Sequence, residues 1–191
     1  MMLRQLAVGP YQANCYILGC DQTQEGLVID PGDEAVRIVT EISKLGLKIR
    51  YILITHGHVD HVGGAGELKE ITKAPVWIHP LDAGALGFPA DGDLFEGQEI
   101  ALGKFTLSVI HTPGHSLGGV CFHAPGAVFT GDTLFAGSIG RTDFPGGNHE
   151  QLIQGVVEKI FPLGDELRVY PGHGPHSTIG QERKFNPFFR G

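Results

Sequence analysis

The 191-residue chain is 41% hydrophobic and 18% charged with a formal net charge of −7, which excludes a disordered chain and leaves no basic surface for a nucleic-acid backbone. No run of about 18 apolar residues occurs, so no membrane span is expected, and Gln5, Pro10, Gln12 and Asn14 break the N-terminal apolar pattern that a secretory leader would need. Cys15, Cys20 and Cys121 are odd in number and lack framework spacing, which predicts reduced, buried thiols and a cytoplasmic setting.

The N-terminal part reads as strands over Leu3–Val8, Cys15–Leu18 and Gly26–Ile29, divided by turn residues. In "DPGDEA", Asp33 is placed to cap a helix whose apolar face carries Ala35, Val36, Ile38, Val39, Ile42 and Leu45, ended by Gly46. A buried strand over Ile49–Ile54 leads into "THGHVDHVGG". A short helix follows over Gly66–Thr72, then a strand in "APVWIH", then a loop with one helical turn between Pro80 and Leu94. Strands near Glu99–Ala101, Phe105–Ile110, Gly119–Phe122 and Ala127–Thr130 predict a meander. Leu152, Ile153, Val156, Val157 and Ile160 form a helical stripe over His149–Phe161, followed by a last strand at Leu167–Tyr170 and a helix over Thr178–Phe185. Strands and helices alternate in each half, so one layered α/β domain over residues 1–191 is expected.

The chemistry sits just past the carboxyl ends of these strands. "YILI" runs into His56, "LSVI" into "HTPGH", "AVFT" into Asp132 and "RVY" into "PGHG". Loops at that edge of an open α/β sheet are where ligands bind. Neutral imidazole and carboxylate suit zinc first, with iron or manganese as alternatives. His56 and His58, with His115, can serve one ion, while Asp60 and His61, with His173, can serve a second. Asp132 has two oxygens and can bridge the two. Each ion then keeps an open position, as catalytic sites do, and two ions about 3.5–4 Å apart can clamp a hydroxide. His79, His111, His123, His149 and His176 read as structural or surface residues.

"THGHVDH", with His115, Asp132 and His173 following in order, resembles the H-x-H-x-D-H signature and later ligand motifs of the metallo-β-lactamase superfamily. The likeness runs from "NCYIL" and "LVIDPGD" to the C-terminus. It implies a four-layer αβ/βα sandwich with two divalent ions at one edge. "GDTLFAGSIGRTDFPGG" and "YPGHGPHSTIGQERKFNPF" are similar to the short bacterial glyoxalase II-like, or hydroxyacylglutathione hydrolase-like, group. The implied reaction is thioester hydrolysis by a metal-bridging hydroxide that Asp60 orients. The implied substrate is a small anionic thioester such as S-lactoylglutathione. Arg141 is a candidate clamp for a substrate carboxylate, against a structural pairing with Asp143. The C-terminal helical domain of full-length glyoxalase II, which contributes to glutathione binding, is not expected here. The tyrosine after that enzyme's last histidine pair has no counterpart at Gly174 or Pro175, which leaves the thiol carrier open.

Rival readings are a one-iron oxygenase resembling the persulfide dioxygenases, built on His56, His115 and Asp132, and a lactonase or esterase of the same fold. A lactamase is disfavoured because lactamases typically replace the bridging aspartate, and an RNA phosphodiesterase because its inserted domain or RNA-binding arm has no room here. A non-catalytic relic is disfavoured by the complete ligand set. The chain is expected to act as a monomer or small homo-oligomer without nucleic-acid or membrane partners.

Overall fold

The computed structural model describes residues 1–190; Gly191, the last residue of the expected domain, lies outside them. Two mixed six-stranded sheets form its centre. The first sheet runs in chain order through β1 (Met2–Val8), β2 (Ala13–Gly19), β3 (Glu25–Ile29), β4 (Lys48–Leu53), β5 (Val76–Ile78) and β6 (Gly92–Asp93). Its first three strands pair antiparallel and its last four pair parallel. In the second sheet, β7 (Glu99–Leu102), β8 (Phe105–His111), β9 (Val120–Ala124) and β10 (Ala127–Gly131) form the expected meander. A hairpin of β11 (Leu134–Phe135) and β12 (Ser138–Ile139) stands apart; β13 (Arg168–Pro171) then joins β10 in parallel and β14 (Ser177–Thr178) closes the edge.

Side chains alternate between the faces of each strand, and the first sheet is apolar on both. Ile17, Val28 and Ile52 pack outward against Ile38 and Ile42 of α1 (Ala35–Leu45). Their neighbours Leu18, Leu27 and Leu53 face Leu107, Phe122 and Phe129 of the second sheet. On that sheet's far side Cys121, Val128 and Val169 receive Leu152 and Val156, the former from α4 (His149–Gly155). The result is the expected four-layer αβ/βα sandwich. Burying each such side chain contributes roughly 1.5–3 kcal/mol, so the two sheets form a stiff frame for loops at their shared edge. All three cysteines are buried free thiols. Among the described residues no helix is long and apolar enough to cross a membrane.

Several local expectations are corrected. Asp33 does not cap α1: its carboxylate accepts from the next amide, Glu34 N–H, and Glu34 stands at the N-cap in a left-handed conformation. Val36 is 64% exposed; at 100° per residue it turns away from the face carrying Ala35, Ile38 and Ile42. The motif 55–64 is not irregular throughout, because α2 (Val59–Val62) is a helical turn, followed by α3 (Ala65–Thr72). The stripe after His149 is helical throughout but changes form, with α4 passing into a π turn over Val156–Ile160 and a 3-10 turn at Phe161–Leu163. Pro162, lacking an N–H, stands at the start of that last turn. Thr178 caps α5 (Ile179–Phe185) rather than belonging to it.

Candidate metal centre

Strands β4, β8, β10 and β13 end on the same edge, and all seven side chains expected from the sequence as ligands meet there. The motif's conformation sorts them. His56 and His58 lie two apart, with His58 in extended backbone, and both imidazoles meet His115. Within α2 the chain coils, and Asp60 and His61 point elsewhere; the His58 carbonyl accepts from the His61 and Val62 amides and fixes that turn. His56, His58 and His115 form one group whose ligand atoms lie within 4.8 Å of one another, and Asp60, His61 and His173 form another. Asp132 lies between them. Its Oδ1 is 3.4 Å from His61 Nε2, and its Oδ2 is 3.5 Å from His115 Nε2 and 3.7 Å from His173 Nε2. Asp60 Oδ2 is 3.1 Å from His173 Nε2 and 3.7 Å from His61 Nε2.

Hydrogen bonds assign which imidazole nitrogen carries the proton. Asp30, buried past the end of β3, accepts from the Thr55 amide and hydroxyl and from His61 Nδ1 at 2.7–2.9 Å. Thr55 Oγ1, its proton given to Asp30, accepts from His56 Nδ1 at 3.0 Å. His115 Nδ1 donates to the Arg141 carbonyl at 2.7 Å. His56, His61 and His115 therefore all aim Nε2 into the centre. His115 Nε2 stands 3.3 Å from His56 Nε2 and 2.9 Å from His58 Nδ1. His58 Nδ1 can donate across the 2.9 Å contact, and the three nitrogens lie close enough together for one ion to take that proton's place. His61 Nε2 and Asp132 Oδ1 are buried with no hydrogen-bond partner, although such groups are almost always paired. Donor chemistry and orphaned atoms both fit divalent metal.

Electrostatics keep three of the side chains in the form that binds metal. Burial, then the neighbouring His61 and His115, hold His56 well below an ordinary histidine pKa; burial and His115 lower His58 too. Both are kept as neutral ligands. A hydrogen bond from His173, against some burial, pulls Asp60 down to about 2, so it stays ionised, while Asp60 in turn raises His173. Burial alone would depress His61, but Asp30, with Asp132 and Asp60, outweighs it and lifts the imidazole to about 9, so an ion bound there would displace the proton on Nε2.

The guanidinium of Arg141 lies on the rim, in a two-point pair with Asp143 at 2.7 Å and stacked 3.8 Å over Phe144. Two grooves flank the cluster. One of about 230 Å³ beside Asp60 is walled by Val8, Pro10, Tyr11, Asp33 and Val59. The other, about 250 Å³ beside His58, is walled by Leu81, Asp82, Leu117 and Pro145. None of His79, His111, His123, His149 and His176 joins these ligands.

The supporting residues escaped the sequence reading. Asn14 of β2 donates to the Pro171 and Gly174 carbonyls at 3.0 and 2.9 Å, and Tyr16 donates to Pro171 O at 2.6 Å, so the first sheet grips the loop that carries His173. Asp30 follows an apolar strand just as Asp132 does, and that strand-end signal was available in the sequence; the polar contacts of Asn14 had none.

A family model described as the Metallo-beta-lactamase superfamily matches residues 8–173. The hydroxyacylglutathione hydrolase GloC of Haemophilus influenzae is 38% identical, the match covering 98% of each chain. Among solved structures, BLEG-1, a B3 metallo-beta-lactamase, is 37% identical with a TM-score of 0.92 over 100% of both chains. ETHE1 from Myxococcus xanthus is 32% identical with a TM-score of 0.91, over 98% of this chain and 84% of its own.

Proposed function

We propose, from the premise that this chain belongs to the metallo-β-lactamase superfamily and is one of its metallo-hydrolases, that it hydrolyses small acyl thioesters of the S-lactoylglutathione type at a centre of two divalent ions. The observation that carries the reading is the pair of ligand groups meeting at Asp132, with His61 Nε2 and Asp132 Oδ1 buried there without a hydrogen-bond partner. His56, His58 and His115 would hold one ion; Asp60, His61 and His173 would hold the other; Asp132 would serve both. Zinc is the first expectation for the ions, and iron or manganese would meet the same donors. Bound there, the ions would supply Lewis acidity and a water ionised near neutral pH.

The chain's own residues do the rest. Asp60 stays ionised and so accepts a hydrogen bond from the attacking group, which aims that group while the carboxylate also holds metal. Asp30 keeps the proton of His61 on Nδ1, away from the reacting side. A thiolate leaves without protonation, so the reaction needs no strong general acid. The two grooves, one beside Asp60 and one beside His58, would seat the acyl group and the thiol carrier. Arg141 lies within reach of an anionic end once Asp143 releases it.

The likeness to BLEG-1 supports a second reading, β-lactam hydrolysis at the same centre, which Asp132 alone had set aside. Elemental analysis of the purified protein, coupled to a substrate panel, separates the readings. Two ions per chain and turnover of S-lactoylglutathione are expected. Turnover of nitrocefin but no thioester would favour the lactamase. One iron per chain with oxygen uptake on glutathione persulfide would replace hydrolysis by an oxygenase.

A further inference from the structure

The three-histidine group is assembled from two loops that belong to different sheets. His56 and His58 follow β4 of the first sheet, while His115 follows β8 of the second. One carboxylate joins them. Asp82 Oδ2 accepts from the Gly57 amide at 2.8 Å, and Asp82 Oδ1 accepts from the Gly118 amide at 2.8 Å. Gly57 lies between His56 and His58, and Gly118 is three residues beyond His115. We propose that Asp82 is a positioning residue that fixes the distance between the His56–His58 pair and His115, and thereby the affinity of the three-histidine group for its ion. This rests on the metal reading of the site.

Three further observations support the assignment. Asp82 occupies the N-cap of the 3-10 turn Ala83–Leu86, where an aspartate ordinarily bonds its own helix, yet its side chain makes no such bond. Both oxygens serve the two metal-site loops instead. Its backbone is anchored independently, with Asp82 N donating to His79 O at 2.9 Å and Asp82 O accepting from Ala85 N at 3.0 Å. The turn after β5 therefore holds the carboxylate still. Finally, both partners are glycines and only glycine fits. A Cβ on Gly118 would lie 2.7 Å from Asp82 Cγ, and one on Gly57 would lie 2.9 Å from Ala85 Cβ and 3.0 Å from Asp82 O. The loops approach because they lack side chains, and an ionised acceptor between two amides makes the stronger class of hydrogen bond. Displacing a ligand by even a fraction of an ångström matters to metal affinity, since supporting groups of this kind carry 10–100-fold effects.

The test is Asp82→Asn, which keeps shape and one acceptor but sets an NH₂ group against the other amide. EDTA-treated protein is titrated with Co²⁺, and the visible absorption reads the two centres apart, because one is built of imidazoles and the other includes Asp60. Wild type should take two ions. The variant should take one at wild-type affinity, at the Asp60–His61–His173 group, and the other at least about tenfold more weakly, with the metal-free unfolding midpoint little changed. Gly118→Ala presses on Asp82 from the other partner and should give the same selective weakening if the asparagine variant fails to fold. Unchanged affinity for both ions overturns the proposal. Equal weakening of both also overturns it, because that is the mark of a general structural tie. If wild type itself takes a single ion, the two-metal reading fails, and Asp82 is then judged on that ion: weakened binding upholds its role and unchanged binding removes it.

Discussion

The guanidinium of Arg141 is held by a partner it can release. Asp143 and Arg141 are both well exposed, and the pair pulls Asp143 down to about 2 without burying either group. Exposed pairs contribute little to stability. Arg141→Ala should therefore leave the unfolding midpoint in place. If the side chain docks a substrate carboxylate, the substitution removes a charge-assisted hydrogen bond. KM for S-lactoylglutathione should then rise about tenfold or more, with kcat nearly constant. Steady-state kinetics on a charged and an uncharged thioester decide this, and equal KM values for wild type and variant would remove Arg141 from the site.

A second residue-scale effect concerns His79, which stacks on His111 at 4.3 Å and accepts the Leu81 N–H on Nδ1. Burial, then His111, lower its pKa, against the opposing carboxylates Asp82 and Asp93. The unfolded chain, titrating near 6.5, thus binds more protons than the fold in the window just below that value. Stability rises with pH there and falls as the solution is acidified. His79→Asn keeps an acceptor but does not titrate. In metal-free protein, its loss of stability between pH 7 and 5.5, read by urea unfolding, should be smaller than wild type's. His56 and His58 titrate in both proteins and cancel in the difference.

At the scale of elements, the strand ends were legible because buried strands announce themselves as short apolar runs. "YILI", "AVFT" and "RVY" led directly to His56, Asp132 and His173. Local features that depend on what a segment meets in space were not legible. Nothing in "VDHV" distinguishes a loop from α2, and the turn exists because the His58 carbonyl receives two amides. The β11–β12 hairpin is held by buried Glu182 of α5, which accepts from the Gly137 amide across 45 residues. Gly172, at the end of β13, shows how element and site meet. A Cβ there would stand 2.2 Å from Asp132 Oδ1 and 2.7 Å from His61 Cε1. Gly172→Ala should keep the fold, as circular dichroism reads it, yet push Asp132 away from His61 and cost at least about tenfold in metal affinity. Gly84→Ala is the control, since a methyl there meets nothing within 4 Å. Equal metal affinity in the two variants would mean that Asp132 is not held where a ligand must be.

In the whole molecule the candidate centre is also a joint. The first sheet's loops bring His56, His58, Asp60 and His61, and the second sheet's loops bring His115, Asp132 and His173. Any ion held by both sets ties one half of the sandwich to the other at the edge where the apolar core between the sheets ends. Ligands that bind only the folded state stabilise it by mass action, by about 4 kcal/mol per site at a free concentration a thousand times Kd. For a chain of this size each kcal/mol is worth about 2–4 °C in Tm. Removing the ions with EDTA should lower the midpoint by at least about 8 °C, and zinc should restore it. Hydrogen exchange should locate the change. Amides in the loops at 55–62, 112–118 and 171–176 should lose protection, while β2, β4, β9 and β10, buried in the cores, should keep theirs. A midpoint indifferent to EDTA would break the link between the two halves. So would an equal loss of protection in strands and loops, because the apolar core alone would then be closing the edge.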